Sequence, residues 1–85
     1  MAKMNNELVQ RLKSMPNNMV DLIVWTQGDA TPHLEWLASE GLKVTREFKL
    51  KPGVAVTCSG ADALKLLDQD WVMSVNEDED VGISD

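Results

Sequence analysis

Between residues 20 and 27 apolar side chains fall on both sides of a two-residue repeat, with Val20, Leu22 and Val24 on one side and Ile23 and Trp25 on the other. A period of two is that of a strand. A strand apolar on both sides is expected at the centre of a sheet, covered on both faces. Gln27, Gly28, Asp29 and Ala30 form a turn, after which Thr31 is placed to cap a helix and Pro32 sits at its first position, where no N–H is needed. Leu34, Leu37 and Ala38 make the buried stripe of that helix, and Gly41 supplies the left-handed residue that ends it.

Alternation returns from Leu42 to Leu50. Val44, Phe48 and Leu50 share one face, interrupted by Arg46, while Lys43, Thr45, Glu47 and Lys49 form a solvated face. Lys51, Pro52 and Gly53 are a tight turn, so the next strand, Val54 to Cys58, is expected to pair as a hairpin. Ser59 with Asp62 resembles a capping box opening a second helix, in which Ala63, Leu64 and Leu67 point inward. Asp68, Gln69 and Asp70 end it, and Trp71 to Val75 is the last strand.

The predicted order is strand, helix, strand, strand, helix, strand. This is the βαββαβ pattern of the ferredoxin-like α+β class, a four-stranded antiparallel sheet with two helices on one face. Ahead of it, Met4, Leu8, Leu12 and Met15 fall near helical spacing, Asn5 or Asn6 is placed to cap, and Pro16, Asn17 and Asn18 end the helix. Residues 1–18 are therefore an N-terminal helical extension of a domain at 19–85. The stripe is read first as an amphipathic helix covering part of that domain, with a docking or dimerisation helix as the alternative. If Leu22 and Val24 face the helices, Ile23 and Trp25 face the bare side of the sheet as candidate contact residues. Burial of that side by the leading helix is the alternative.

Composition narrows the function. Hydrophobic residues are 44% and charged residues 26%, which is globular rather than disordered, and 14 acids against 8 bases give a net charge of −6. Nucleic acids and anionic membranes both need a basic footprint, so neither is an expected partner. Cys58 is the only cysteine, reads as a small buried hydrophobe, and allows neither an internal disulfide nor a thiolate cluster. Lys3, Glu7, Arg11 and Lys13 interrupt the start of the chain where a signal peptide would be apolar, so a cytoplasmic address is expected.

No catalytic constellation is visible. The single histidine, His33, reads as a solvated or capping residue, and Ser59 and Ser74 have no histidine partner from any motif. One His and one Cys do not make a metal site, and the acids from Glu77 to Asp80 lack the alternating ligands and central glycine of a calcium loop. The chain is expected to be no enzyme and to need no metal or cofactor. Trp25, Trp36 and Trp71 suit core or protein-contact roles.

The end of the chain is distinctive: Val72-Met73-Ser74-Val75, then Glu77-Asp78-Glu79-Asp80-Val81. With Gly41, Val44, Phe48 and Leu50, then Gly53-Val54-Ala55-Val56, then Ala63, Leu64, Leu67 and Asp70, it resembles the subtilisin propeptide family and its stand-alone inhibitors, from about Val20 to Asp85. The resemblance implies a protein inhibitor, or a chaperone-like binder, of a subtilisin-like serine protease. In that family the bare sheet face packs on two surface helices of the protease, and acids after the last strand cap those helices. By position Glu77 and Glu79 are the candidates, with Asp78 pointing elsewhere. The tail over 76–85 would then add to the protease's substrate edge through Val81, Gly82, Ile83, Ser84 and Asp85, with Asp85 in the primary specificity pocket, product-like, and Gly82 in the next deep pocket. Two features depart from the family: a carboxylate at Asp85 where an apolar or small residue is usual, and the leading helix. The alternative is a non-catalytic interaction or regulatory module on the same scaffold, possible as a dimer.

Overall fold

The computed structural model describes residues 3–48 and 50–77. Among them, four strands form one antiparallel sheet and three helices pack on one side of it, an α+β arrangement compatible with the ferredoxin-like pattern. The elements are α1 (Asn6–Ser14), β1 (Met19–Thr26), α2 (Leu34–Ser39, preceded by a 3-10 turn over Thr31–His33), β2 (Lys43–Phe48), β3 (Gly53–Ser59), α3 (Gly60–Leu64, continued as a 3-10 turn over Lys65–Asp68) and β4 (Val72–Glu77). The sheet order is β2-β3-β1-β4, so β1 is central, as its two-sided apolar pattern implies. The helices, however, cover only one of its faces.

Register fixes those faces. Leu22 lies opposite Val56, and Val24 lies opposite both Val54 and Val75. These residues are buried together with Leu37, Leu42, Ala63 and Leu66, which places the core between the sheet and the helices. The inward positions after Gly60 are thus Ala63 and Leu66, with Leu64 and Leu67 half-buried at its margin. The reason is that the second helix tightens into a 3-10 turn after Leu64, which changes the angular step from one residue to the next.

Local chemistry accounts for the helix ends. Asn5 caps α1, its side-chain oxygen accepting the Glu7 N–H at 2.7 Å. Asp29, and not Thr31, holds the start of the next helical segment: its carboxylate accepts the Thr31 N–H at 3.0 Å and hydroxyl at 2.9 Å. Those bonds, the backbone one first, hold the Asp29 carboxyl below its ordinary pKa. Helix α2 ends in a Schellman motif. Gly41, at φ 89°, and Leu42 donate to the carbonyls of Ala38 and Leu37, and the buried pair Leu37 and Leu42 supplies the accompanying apolar contact. Ser59 caps α3 as expected, accepting the Asp62 N–H at 3.2 Å. The Asp62 carboxylate turns instead to Lys65 at 3.0 Å, which also meets Glu40 at 3.3 Å.

Helix α1 is built into the core. Met4, Leu8 and Leu12 are 2%, 5% and 1% exposed and belong to the same apolar cluster as Leu22 and Val75. Of the stripe that could have served self-association, Met4, Leu8 and Leu12 are therefore covered by the chain's own domain, while Met15 is 42% exposed. The segment also closes one sheet edge: the Val75 N–H donates to the Lys3 carbonyl at 2.8 Å, and Met4 bridges Val75 in parallel. Lys3 Nζ further donates to the Gln69 carbonyl. An unpaired edge is a template for unwanted strand addition, and this contact removes it along part of β4.

Cys58 is fully buried on β3, opposite Val20. Burial, with smaller contributions from the charges of Asp62 and Asp21, pushes its thiol pKa from 9.0 up to about 12. The thiol is neutral when protonated, so between those values only the unfolded chain ionises. Stability is full below pH 9 and falls as pH rises towards 12, by ~1.4 kcal/mol per pH unit at most. Urea unfolding across this range should show a shallower alkaline decline for Cys58→Ala than for the parent. Equal slopes would mean the thiol ionises as readily folded as unfolded.

Candidate functional site

The side of the sheet away from the helices carries Ile23 and Trp25 of β1 and Ala55 of β3, with Ser74 and Asn76 of β4 beside them by register. Among the described residues no helix packs there. Helix α1 lies on the opposite side, so the leading helix does not cover Ile23 or Trp25, and both are half-buried. Ala55 is nearly buried beneath its larger neighbours.

A bulge remakes this face. Val44 pairs with Val56 on the core side, but Arg46 pairs with Ala55 and Phe48 with Gly53, because Thr45 is an extra residue in β2. Val44 and Phe48, expected on one face, are thus on opposite sides, and Arg46 sits beside Phe48 on the open side. Leu50 shares a face with neither and is fully exposed in the turn. A second irregularity in β4, between the pairs Trp25–Ser74 and Thr26–Val72, turns Met73 outward, 61% exposed.

The result is an aromatic and cationic array. The rings of Trp25 and Phe48 are 5.3 Å apart at 34°. The Lys51 ammonium lies 4.7 Å from the Trp25 ring centroid, and the Arg46 guanidinium lies 5.1 Å from that of Phe48. Both distances are within cation–π range. The indole rests against Gly53: a Cβ there would come within 2.5 Å of Trp25 Cε3 and 2.9 Å of the Val24 carbonyl oxygen. Glycine at this position is what lets the indole lie down on the sheet. Trp25, Gln27, Gly28, Lys51, Pro52 and Met73 line a shallow recess at this end of the face.

Glu77, at the end of β4, lies opposite Leu22 and therefore on the helix side, where its carboxylate meets Arg11 of α1. Both side chains are substantially exposed. Such a pair is worth only ~0–1 kcal/mol, so the carboxylate exchanges partners at little cost. Glu79, Asp78 and the tail residues Val81, Gly82, Ile83, Ser84 and Asp85 lie outside the described residues.

His33 is half-buried, and its side chain makes no capping hydrogen bond. It stacks on Trp71 with ring centroids 4.1 Å apart and planes 5° from parallel, and Trp71 meets Trp36 edge-on at 5.6 Å. The two indoles pack at the margin of the core, and the Ser59 hydroxyl is engaged in capping α3. Among the described residues no group of three or more His, Cys, Asp or Glu side chains is placed to hold a metal ion, and no helix is long and apolar enough to cross a membrane. The residues that sequence reasoning missed are Phe48, Arg46, Lys51 and Met73. The Lys51-Pro52-Gly53 run was legible as a turn, but nothing in it signals an ammonium over Trp25. Neither the family models nor the curated proteins give a match to this chain.

Proposed function

We propose that the chain is a non-catalytic binding domain of ferredoxin-like βαββαβ architecture that inhibits a subtilisin-like serine protease. The observation that carries this reading is the placement of α1 with the other helices, which leaves Ile23, Trp25, Phe48 and Met73 on a sheet side that no described helix covers. Apolar and aromatic side chains grouped on one face suit a protein contact better than solvent. In this proposal the open side docks on the protease. Glu77, on the helix side at the very end of β4, leaves Arg11 and reaches around the strand end to meet the N-terminus of a protease helix, where unsatisfied N–H groups and partial positive charge favour a carboxylate, and Glu79 does the same one strand period later. Val81 to Asp85 then add as a strand to the substrate edge, main-chain hydrogen bonds supplying affinity and alternate side chains specificity.

Titrating a panel of subtilisin-like proteases with the full chain and with a version ending at Glu77 tests this. The full chain should inhibit at micromolar concentration, and the shortened one at least about tenfold more weakly, ~1.4 kcal/mol, at unchanged thermal stability. No inhibition by the full chain across the panel overturns the proposal, and equal inhibition by both removes the tail from it. A dimer formed through the open face would favour the second reading, a regulatory module, since the same aromatic surface would then be occupied by a copy of itself. Light scattering of the parent and of Trp25→Ala distinguishes the two.

A further inference from the structure

On the helix side of the sheet, a groove of about 540 Å³ runs between α2 and the edge strand β2, lined by Leu34, Ala38, Gly41, Leu42, Val44 and Glu47. That volume falls within the roughly 300–1,000 Å³ of binding clefts. Leu34 and Ala38 are four residues apart and share one flank of α2. Val44 lies opposite Val56 and Glu47 opposite Val54, so the inner side of β2 forms the other wall. Leu42 is fully buried, Leu34 and Val44 are half-buried, and Ala38 is exposed.

The groove is apolar at one end and acidic at the other. Glu47 stands on the side of the sheet where its cross-strand neighbour Val54 is part of the core. No ion pair among the described residues engages it. Glu47 also lines an adjoining recess with Asp29, whose carboxylate is held in place by the N–H and hydroxyl of Thr31. Lys43 borders the groove too, but by register its side chain, like that of Arg46, belongs to the opposite side of the sheet.

We propose that this groove takes an amphipathic helix of a partner protein, its apolar stripe on Leu34, Ala38 and Val44 and a bordering Lys or Arg against Glu47 and Asp29. The competing mode at a sheet edge is addition of a strand. Here the extra residue Thr45 breaks the β2 ladder, and its hydroxyl donates to the Ala55 carbonyl at 3.2 Å. A bulged edge pairs poorly with a further strand. A helix needs only an apolar trough with a charged border, which the groove supplies. The net charge of −6 draws in a basic segment and repels a second copy of the chain. The groove lies across the sheet from Ile23 and Trp25, so it stays accessible while the open side is engaged, and the proposal stands or falls apart from protease inhibition.

The test uses the full chain and a fluorescein-labelled amphipathic helical peptide of Leu, Ala and Lys, its leucine stripe bordered by lysines, read by anisotropy. Saturable binding is expected below about 1 mM. Glu47→Lys should weaken it about tenfold or more, and Ala38→Gln, which fills the trough without adding charge, about fivefold. Glu7→Lys makes the same charge change on α1 and should leave the Kd within about twofold. All three positions are exposed, and unchanged thermal midpoints establish that the variants fold. Absence of saturable binding overturns the proposal. Equal weakening by Glu7→Lys and Glu47→Lys also overturns it, since the attraction would then be to the chain's overall charge. A peptide alternating Lys and Val that binds as tightly reassigns the site to a strand on the β2 edge. A dimer of the chain that Ala38→Gln dissolves, seen by light scattering, reassigns it to a second copy, and either result overturns the helical partner.

Discussion

A chain that begins at Pro16 should lose cooperative folding. Removing residues 1–15 strips Met4, Leu8 and Leu12 from the core, each almost wholly buried in the full chain. Burying a side chain of this size stabilises by ~1.5–3 kcal/mol, so the three together contribute about 4.5–9 kcal/mol. A domain of this length has roughly 4–13 kcal/mol in total. The loss is therefore of the same order as everything that holds the fold. It is deepened because the Lys3 carbonyl no longer meets the Val75 N–H, leaving the β4 edge open to other chains. Urea denaturation followed by circular dichroism should give a broad, shallow transition or none, with aggregation rising with concentration. A sharp transition at the parent midpoint would mean that α1 is an appendage after all.

That dependence bears on the proposed function. The Arg11–Glu77 pair ties α1 to the last described residue of β4, next to the segment that would enter a protease. Holding the helix in place also keeps it away from Ile23 and Trp25. Loss of inhibition on deleting residues 1–15 would therefore report on folding, and only truncation after Glu77 isolates the tail.

Much of the fold was legible because it is written in local periodicity and turn chemistry. The alternation from Val20 to Trp25 marks a central strand, Gly41 stops a helix, and Ser59 starts one, and each occurs as expected. The stripe of Met4, Leu8 and Leu12 identified a helix, but not the side of the sheet on which it packs, since spacing carries no information about which partner buries a stripe. The candidate face was half legible. Ile23 and Trp25 followed from the alternation itself. Arg46 and Phe48 did not, because the bulge at Thr45 shifts the side-chain phase by one and neither glycine nor proline marks it. The stack of His33 on Trp71 joins positions far apart in the chain and has no local signal. Capping by Asp29 rather than Thr31 reflects two good cap residues standing close together, of which the one reaching two residues ahead holds the turn.

Gly60→Ala should destabilise the domain by about 3 kcal/mol, the upper part of the range for forcing added atoms into a packed site. A Cβ at Gly60 would lie 2.7 Å from the Met15 carbonyl oxygen and 2.8 Å from that of Leu12, with the Cα of Pro16 at 3.2 Å. All three are backbone atoms, so no rotamer change relieves the contact. The end of α1 and its linker must move away from α3, and two hydrogen bonds stretch with them: Gly60 N–H to the Asn18 carbonyl and Ala61 N–H to that of Pro16, both 3.0 Å. These bonds satisfy N–H groups in the first turn of α3, which has no partners for them within the helix. The substitution reaches the seam between leading helix and domain without deleting an apolar side chain, so it separates geometry from hydrophobic burial. Denaturant midpoints of the parent and of Gly60→Ala, with Ala61→Gly as a neighbouring control that adds no atom, measure the effect. A midpoint for Gly60→Ala equal to the parent's would show that α1 does not approach α3 this closely, and the account of the leading helix as part of the core would fall with it.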